Sequence, residues 1–555
     1  MDSSQRSTRI AIHAAGLATV VLSLVAWTYW FYPLLGLDYA SVLPAMYEMR
    51  DAFTRFGRLD VDFSAFRCLG LPVFANPNAF VWSIYHPFAL VVAELRAVVA
   101  GGAVILAFAY VGCVALLRGL GLGTGLAAGL AVAWCLQGFC ASHLLAGHVS
   151  YIQLALQPLL LWLLLQKTPS WIARGAAAFW IAHLVYTAGY YLLLTGIPSL
   201  LFAAFVLERL VAGRLDARGL GGVRTVAVSL VWAGALAFVM SAPKMLAVLD
   251  FTAMFPRLTQ LDRIAAWKAL VYTASQYLVP VPYDARRFTG WWYGNWEAHE
   301  MILPGAAYWL AWRVWTHRSD LPLARVGGIV ALLLAVGTVL SSGALAPVFS
   351  ALPLLQSLHV NPRWNALVLL PYFALVAGVA AALPAAARPS PPWIAALWLL
   401  AVVVPFQLTD RREMQIEYTD GQGIDAGRHR LGFCYEPIFG YRLEHFPVKG
   451  QVDFTSDLLA DPRCYLRSAG CTPGTLLAAG PDREALERYA LRDAHAPVAL
   501  LKWPALAAYL AGFACALAWL WHALAGLWRD DPEPAPERVA AKATERSRRR
   551  KHGKS

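Results

Sequence analysis

Long apolar runs separated by short polar joints dominate the chain. Each run is about 20 residues, the length a helix needs to cross a bilayer core of about 30 Å. Twelve such runs are expected as transmembrane helices, at roughly 10–31, 98–117, 121–140, 150–166, 175–191, 193–208, 224–243, 302–316, 326–342, 365–386, 392–408 and 499–522. The first ends on "WTYWFYP" with no small-residue cleavage site and is too long for a signal-peptide core, so it should stay attached as the first helix. The pattern predicts an all-α polytopic membrane protein with about twelve transmembrane helices.

Charge along the joints gives an orientation. With the N-terminus inside, the inner joints carry Arg6, Arg9, Arg118, Lys167, Arg174, Arg209, Arg214, Arg218, Arg224, Arg313, Arg318, Arg325 and Arg388, followed by the tail "ERSRRRKHGK". Short basic joints face the cytoplasm, so both termini are expected there. The long polar segments 32–97, 244–301, 343–364 and 409–498 then gather on the outer face. A transporter keeps compact loops on both sides, whereas an enzyme working at the outer surface needs material there. The expected organisation is a transmembrane domain over 1–408 with about eleven helices, an extracytoplasmic segment over 409–498, a last helix at 499–522 and a disordered basic cytoplasmic tail over 523–555.

Composition strengthens this picture. Of the 555 residues, 59% are hydrophobic and 14% charged, against about 25% charged in soluble domains. The net charge of +12 does not imply a nucleic-acid partner, because 9 of the Lys and Arg residues fall in the last 27 positions. Topology, and attraction to anionic lipid headgroups, account for them. Arg outnumbers Lys 38 to 8 and Ala and Leu abound, a usage that suits a high-GC bacterium and hence a bacterial cytoplasmic (inner) membrane. No C-x-x-C, H-E-x-x-H, P-loop, Rossmann or G-x-S-x-G pattern is found, which removes zinc hydrolase, nucleotide-driven pump and serine esterase readings.

Candidate chemistry lies on the outer segments. Asp38 closes the first apolar run, and "YASVLPAMYEMRDAFTRFG" after it alternates apolar and charged residues at helical spacing, as an interfacial helix would. Asp60 and Asp62 in "RLDVDF" form a D-x-D pair that either solvates a loop or shares a divalent cation, Mg or Mn. "CASHLLAGHVSYIQ" sets His143 and His148 in a tight outer turn with Tyr151 and Gln153 beyond, either as a satisfied turn or as a proton shuttle or phosphate donor. "SAPKMLAVLDF" puts Lys244 and Asp250 just outside the seventh span, and "LHVNPRWNAL" puts Arg363 at the mouth of the tenth. Arg363 either snorkels to the interface or grips a phosphate through two parallel hydrogen bonds. Glu297, His299 and Glu300 in "WWYGNWEAHEMILPG" follow a cluster of four aromatics, an interface belt or a carbohydrate site. Cys464 and Cys471 in "DPRCYLRSAGCTPG" are disulfide candidates in an oxidising compartment; with Cys68 and Cys434, three pairings are open.

The order of these segments is itself informative. An apolar helix, an outer Asp, a helical first loop and "GLPVFANPN" (70–78) are followed by "AGHVSYIQLALQPLLLWLL", "SAPKMLAVLDF" and "LQSLHVNPRWNALVLL". Together, over most of 10–408, they resemble the bacterial YfhO-like membrane proteins and, more broadly, the GT-C superfamily of glycosyltransferases. The resemblance implies a GT-C-like fold and an inverting transfer of sugar from a polyprenyl-phosphate donor to an envelope acceptor (polysaccharide, lipid or protein). It implies that Asp38 acts as the base, with Arg363 and Lys244 offsetting charge on the departing lipid phosphate, and Glu297 or Glu300 as a second acid. The stretch "SAPKML" departs from the family, whose members often carry a Gln there. The segment 409–498 looks like the outer extension of such proteins, expected to cap the site or bind an envelope-biogenesis partner. Two rivals are a transporter or flippase of lipid-linked material and a non-catalytic envelope assembly factor. Against the transporter stand the absence of a two-half repeat and the few charges deep in the spans.

Overall fold

The computed structural model describes residues 3–254, 263–278, 303–351, 361–408, 414–417 and 496–528, apart from short breaks at 37, 58, 60–62, 65–70, 188, 304, 385–387 and 389–390. Helices dominate them: α1 (Ser3–Tyr29), α2 (Tyr39–Phe56), α3 (His86–Ala89), α4 (Glu94–Gly119), α5 (Thr124–Cys135), α6 (Gly138–Ala146), α7 (Gln157–Leu165), α8 (Trp171–Tyr186), α9 (Tyr190–Ala217), α10 (Val223–Met254) and α11 (Ala266–Leu278). They continue with α12 (Ala306–Thr316), α13 (Leu323–Ser341), α14 (Ala346–Ser350), α15 (Ala366–Ala382), α16 (Pro391–Leu408) and α17 (Ala496–Trp528).

Eight of the described helices are long and apolar enough to cross a membrane: Gln5–Tyr29, Glu94–Gly119, Thr124–Ala146, Tyr190–Ala217, Val223–Ala253, Leu323–Ser341, Arg363–Ala382 and Val498–Leu527. Burial separates them into two sets. The Thr124–Ala146 and Arg363–Ala382 helices are buried along most of their length, whereas α10 and α17 turn apolar side chains outward. Val228, Val231, Trp232, Phe238 and Val239 of α10 are all at least half exposed. A face this apolar is incompatible with water and fits lipid. The chain is an all-α polytopic membrane protein. Four expected spans form shorter helices, at 150–166, 175–191, 302–316 and 392–408.

Packing radiates from the buried helices. α15 lies along α9, α8 is held between α10 and α17, and α4 touches α1, α5 and α7. Among the described residues the sheet content is small. The strand Leu34–Gly36, just before Asp38, pairs antiparallel with Met414–Glu417, and Phe63–Ser64 pairs with Leu71–Pro72. The segment that follows α16 therefore returns to the strand leading into Asp38.

Three features differ from expectation. α2 forms where helical spacing predicts it and ends on Gly57 at φ +64°, but Glu48 and Asp51 are buried at 1% and 6% exposure. The helix packs on α3 and α4, with Arg50 ion-paired to Glu94, rather than presenting a charged stripe to water. α10 continues through Pro243 to Met254, which brings Lys244 and Asp250 inside the helix. The "CASHLLAGH" joint is mostly helix, since α6 extends to Ala146.

Candidate functional site

The end of the bundle at which α1 finishes collects polar groups from three separate stretches. The first is Asp38, immediately before α2. The second is the junction after α6. There Gly147 takes φ +98°, its N–H bonds to Leu144 O (3.1 Å) and the His148 N–H bonds to His143 O (2.8 Å). This pair of bonds is a Schellman ending, which uses a glycine in the left-handed region to close a helix.

Beyond it, Val149–Leu156 is a 3-10 helix. Pro158 accounts for the tight bond at the last turn of this helix. Lacking an N–H, it cannot serve the Leu154 carbonyl, which is taken instead by the Gln157 N–H three residues on. Tyr85 Oη donates to Val149 O (3.3 Å) and Trp134 Nε1 donates to Ala155 O (2.8 Å), fixing this turn to its neighbours. The third stretch is the short 3-10 helix Asn361–Asn365 that leads into α15 and carries Arg363.

These stretches meet closely. The Asp38 N–H donates to Ala146 O (3.1 Å), and two glycines allow that approach. A side-chain carbon on Gly36 would sit 2.3 Å from Leu145 O, and one on Gly147 would sit 2.4 Å from the Tyr39 nitrogen. The Asp38 carboxylate meets His148 Nε2 in a close polar contact. The other nitrogen of that ring, Nδ1, lies 2.7 Å from Nδ1 of His143. His143 is fully buried, whereas Asp38 and His148 keep 17% and 22% of their side chains accessible. With His148 donating from Nε2 to the carboxylate, its Nδ1 accepts from the Nδ1–H of His143. One line of hydrogen bonds thus runs from the accessible Asp38 into the protein. Burial pushes the neighbouring Tyr39 phenol well above its ordinary value, so it stays protonated.

Arg363 stands on the same turn from the other side. It donates to Tyr151 Oη (2.8 Å) and its guanidinium carbon lies 5.2 Å from the Tyr151 ring centre. Tyr151 also meets the His143 ring edge-on at 4.3 Å and packs on Tyr191, which in turn meets Trp364. The wall is buried, with Tyr151, Tyr191 and Trp364 exposed by 6% or less. It is shaped to hold Arg363 and His143 in place rather than to offer rings to a sugar.

Of the residues singled out from sequence, Asp38, His148, Tyr151 and Arg363 therefore come together. Lys244 does not join them. It is fully buried within α10, and its ammonium donates to Asn76 O (2.7 Å), with Val73 O and Ala79 O each at 3.5 Å. It clasps the "VFANPNA" loop, so the expectation that it faces a lipid phosphate is corrected: a charge deep in an apolar bundle needs such partners. Gln153 also turns away, bonding to Thr187 Oγ1 (2.6 Å) and His183 Nδ1 (2.7 Å). Asp60, Asp62, Glu297, His299, Glu300, Cys464 and Cys471 lie outside the described residues. Among the described residues, no group of three His, Cys, Asp or Glu side chains is arranged to hold a metal ion.

The sequence sets His143 and His148 in one turn; the contact between their rings and the close approach at Gly36 and Gly147 emerge only in the structure. The signal for Gly147 was present: a glycine directly after an apolar helix and before a histidine is the usual mark of a left-handed helix ending. Comparison of the chain with protein-family models, with curated proteins and with solved structures finds no match in any of the three.

Proposed function

We propose that the protein is an integral membrane glycosyltransferase with a GT-C-like architecture, moving a sugar from a polyprenyl-phosphate donor to an envelope acceptor. On this reading the bundle crosses a bacterial inner membrane about twelve times with both termini cytoplasmic, and the Asp38 end faces outward. The observation that supports it most is the meeting of the Asp38–His148–His143 line with the Arg363–Tyr151 pair around one 3-10 turn. On this reading a base and a phosphate-binding cation share one end of a membrane bundle.

The chemistry follows from these groups. The acceptor hydroxyl attacks the anomeric carbon while Asp38 takes its proton. The new carbon–oxygen bond forms as the bond from that carbon to the phosphate oxygen breaks, with inversion. Polyprenyl phosphate leaves, its growing charge met by Arg363, whose fork of N–H groups matches phosphate oxygens two at a time. His148 occupies one carboxylate oxygen and so orients the other toward the acceptor. Tyr151 holds the guanidinium from behind.

The test is transfer and binding by the purified full chain in lipid, with a panel of polyprenyl-phosphate sugars as donors and membrane lipid extract as the acceptor pool. Sugar transfer, or saturable donor binding weakened by Arg363→Gln, is expected. Absence of both transfer and binding for every donor would overturn the reading in favour of transport or assembly.

A further inference from the structure

At the opposite end of the bundle from Asp38, a groove of about 280 Å³ opens between the C-terminal end of α7 and the first turns of α8 and α10. Backbone bonds assemble it from distant stretches: Lys167 N donates to Gly219 O (3.1 Å), and Gly221 N donates to Leu165 O (2.7 Å). These tie the joint after α7 to the joint before α10. Ser170 caps α8 beside them, its Oγ accepting from Ala173 N at 3.1 Å.

The groove has two kinds of lining. Lys167, Arg174 and Arg224 bring three cations, with the hydroxyls of Thr225 and Ser229 between them. Val228 and Trp232 form an apolar wall. Only part of the positive charge is met from within the chain. Lys167 pairs with the well-exposed Asp216 at 2.6 Å, while among the described residues neither Arg174 nor Arg224 has an ion-pair partner. The apolar wall is equally uncovered, with Val228 exposed by 54% and Trp232 by 63%.

Direction matters as much as content. Trp232 follows Arg224 by eight positions on one helix, which is about 12 Å along its axis. Beyond it, Leu236 and Val239 continue the outward apolar face of α10. The lining therefore runs from cationic at the helix ends to apolar toward the middle of the span, the same order in which a phospholipid runs from phosphate to acyl chain. A free phosphate would use the cations and leave the apolar wall unmatched.

We infer that this groove binds one anionic glycerophospholipid, its phosphodiester held by Arg174, Arg224 and Lys167 and an acyl chain laid against Val228 and Trp232. The site is separate from the proposed transfer chemistry and does not depend on it. Bound lipid would fix α8 against α10 at the basic end of the bundle.

Native mass spectrometry of the full chain, purified in a neutral detergent and titrated with phosphatidylglycerol, phosphatidylcholine or inorganic phosphate, tests this. Wild type should hold phosphatidylglycerol in preference to phosphatidylcholine. Each surface cation contributes about fivefold to attraction of anionic lipid, so Arg174→Gln with Arg224→Gln should lose about twenty-fivefold in affinity. The corresponding pair of Lys substitutions should recover most of that loss. Trp232→Ala should weaken lipid binding while leaving the unfolding temperature in lipid-free detergent unchanged. Equal affinity in wild type and the double Gln variant would overturn the inference, as would equal binding of phosphatidylcholine. Displacement of the lipid by an equal concentration of inorganic phosphate would overturn it too, and mark a soluble phosphate site instead.

Discussion

The imidazole of His148 bonds the Asp38 carboxylate through Nε2 and the His143 ring through Nδ1, so a single side chain ties the start of α2 to the last turn of α6. Because Nδ1 and Nε2 are both engaged, the His148 ring has little freedom to rotate. The carboxylate inherits that fixity, which is what the proposed role of a base requires.

Replacing His148 with Gln should therefore slow transfer without changing which donor is used. The amide can reach the carboxylate but cannot complete the line to His143. A fall in kcat with KM held near wild type is expected; an unchanged kcat would show that Asp38 needs no orienting partner.

Gly147→Ala is expected to be costly out of proportion to its size. The backbone is at φ +98° and the new methyl would stand 2.4 Å from the Tyr39 nitrogen. Forcing a non-glycine residue into that region costs about 1–3 kcal/mol before the clash is counted. Thermal unfolding in detergent should show a lowered midpoint; an unchanged midpoint would contradict the close approach described.

The pair Arg363 and Tyr151 separates binding from positioning. Tyr151→Phe removes one hydrogen bond from a partly exposed guanidinium, an effect of about 1 kcal/mol and so about fivefold. Donor KM should rise by that amount with kcat little changed. Arg363→Lys keeps the charge but loses the two-pronged grip, and should lower kcat more than it raises KM. Steady-state kinetics on the two variants distinguishes the roles, and identical behaviour would refute them.

Lys244→Met should destabilise the protein rather than alter donor affinity. The substitution removes the ammonium that donates to Asn76 O and lies 3.5 Å from Val73 O and Ala79 O. Loss of a hydrogen bond from a charged donor costs about 1.5–3 kcal/mol. The folded yield should fall, while the folded fraction keeps wild-type donor KM. A selective rise in donor KM would restore Lys244 to the phosphate site.

Which parts of this could be read from the sequence follows from the physics of each signal. Apolar length is local, so the longer spans and the helix after Asp38 were visible in hydropathy and spacing. Helix ends were harder, because α10 keeps an apolar pattern through Pro243 and hides a lysine whose charge is met by carbonyls from residues far away in the chain. Asp38, His148, Tyr151 and Arg363 could be nominated as polar groups at the ends of apolar runs. Their mutual contact could not, since it depends on Gly36 and Gly147 letting two backbones approach. The pairing of Leu34–Gly36 with Met414–Glu417 was equally hidden, because strands of three and four residues carry too short a pattern to stand out.

The most direct measurement is a double-mutant cycle on Asp38 and His148, read as sugar transfer by purified protein in lipid. Asp38→Asn should lose about a hundredfold or more of the wild-type rate, the usual worth of a positioned base. His148→Gln should lose less, and the double variant should be no slower than Asp38→Asn alone, because the histidine acts through the carboxylate. Full transfer by a folded Asp38→Asn variant would contradict the account and move the base elsewhere.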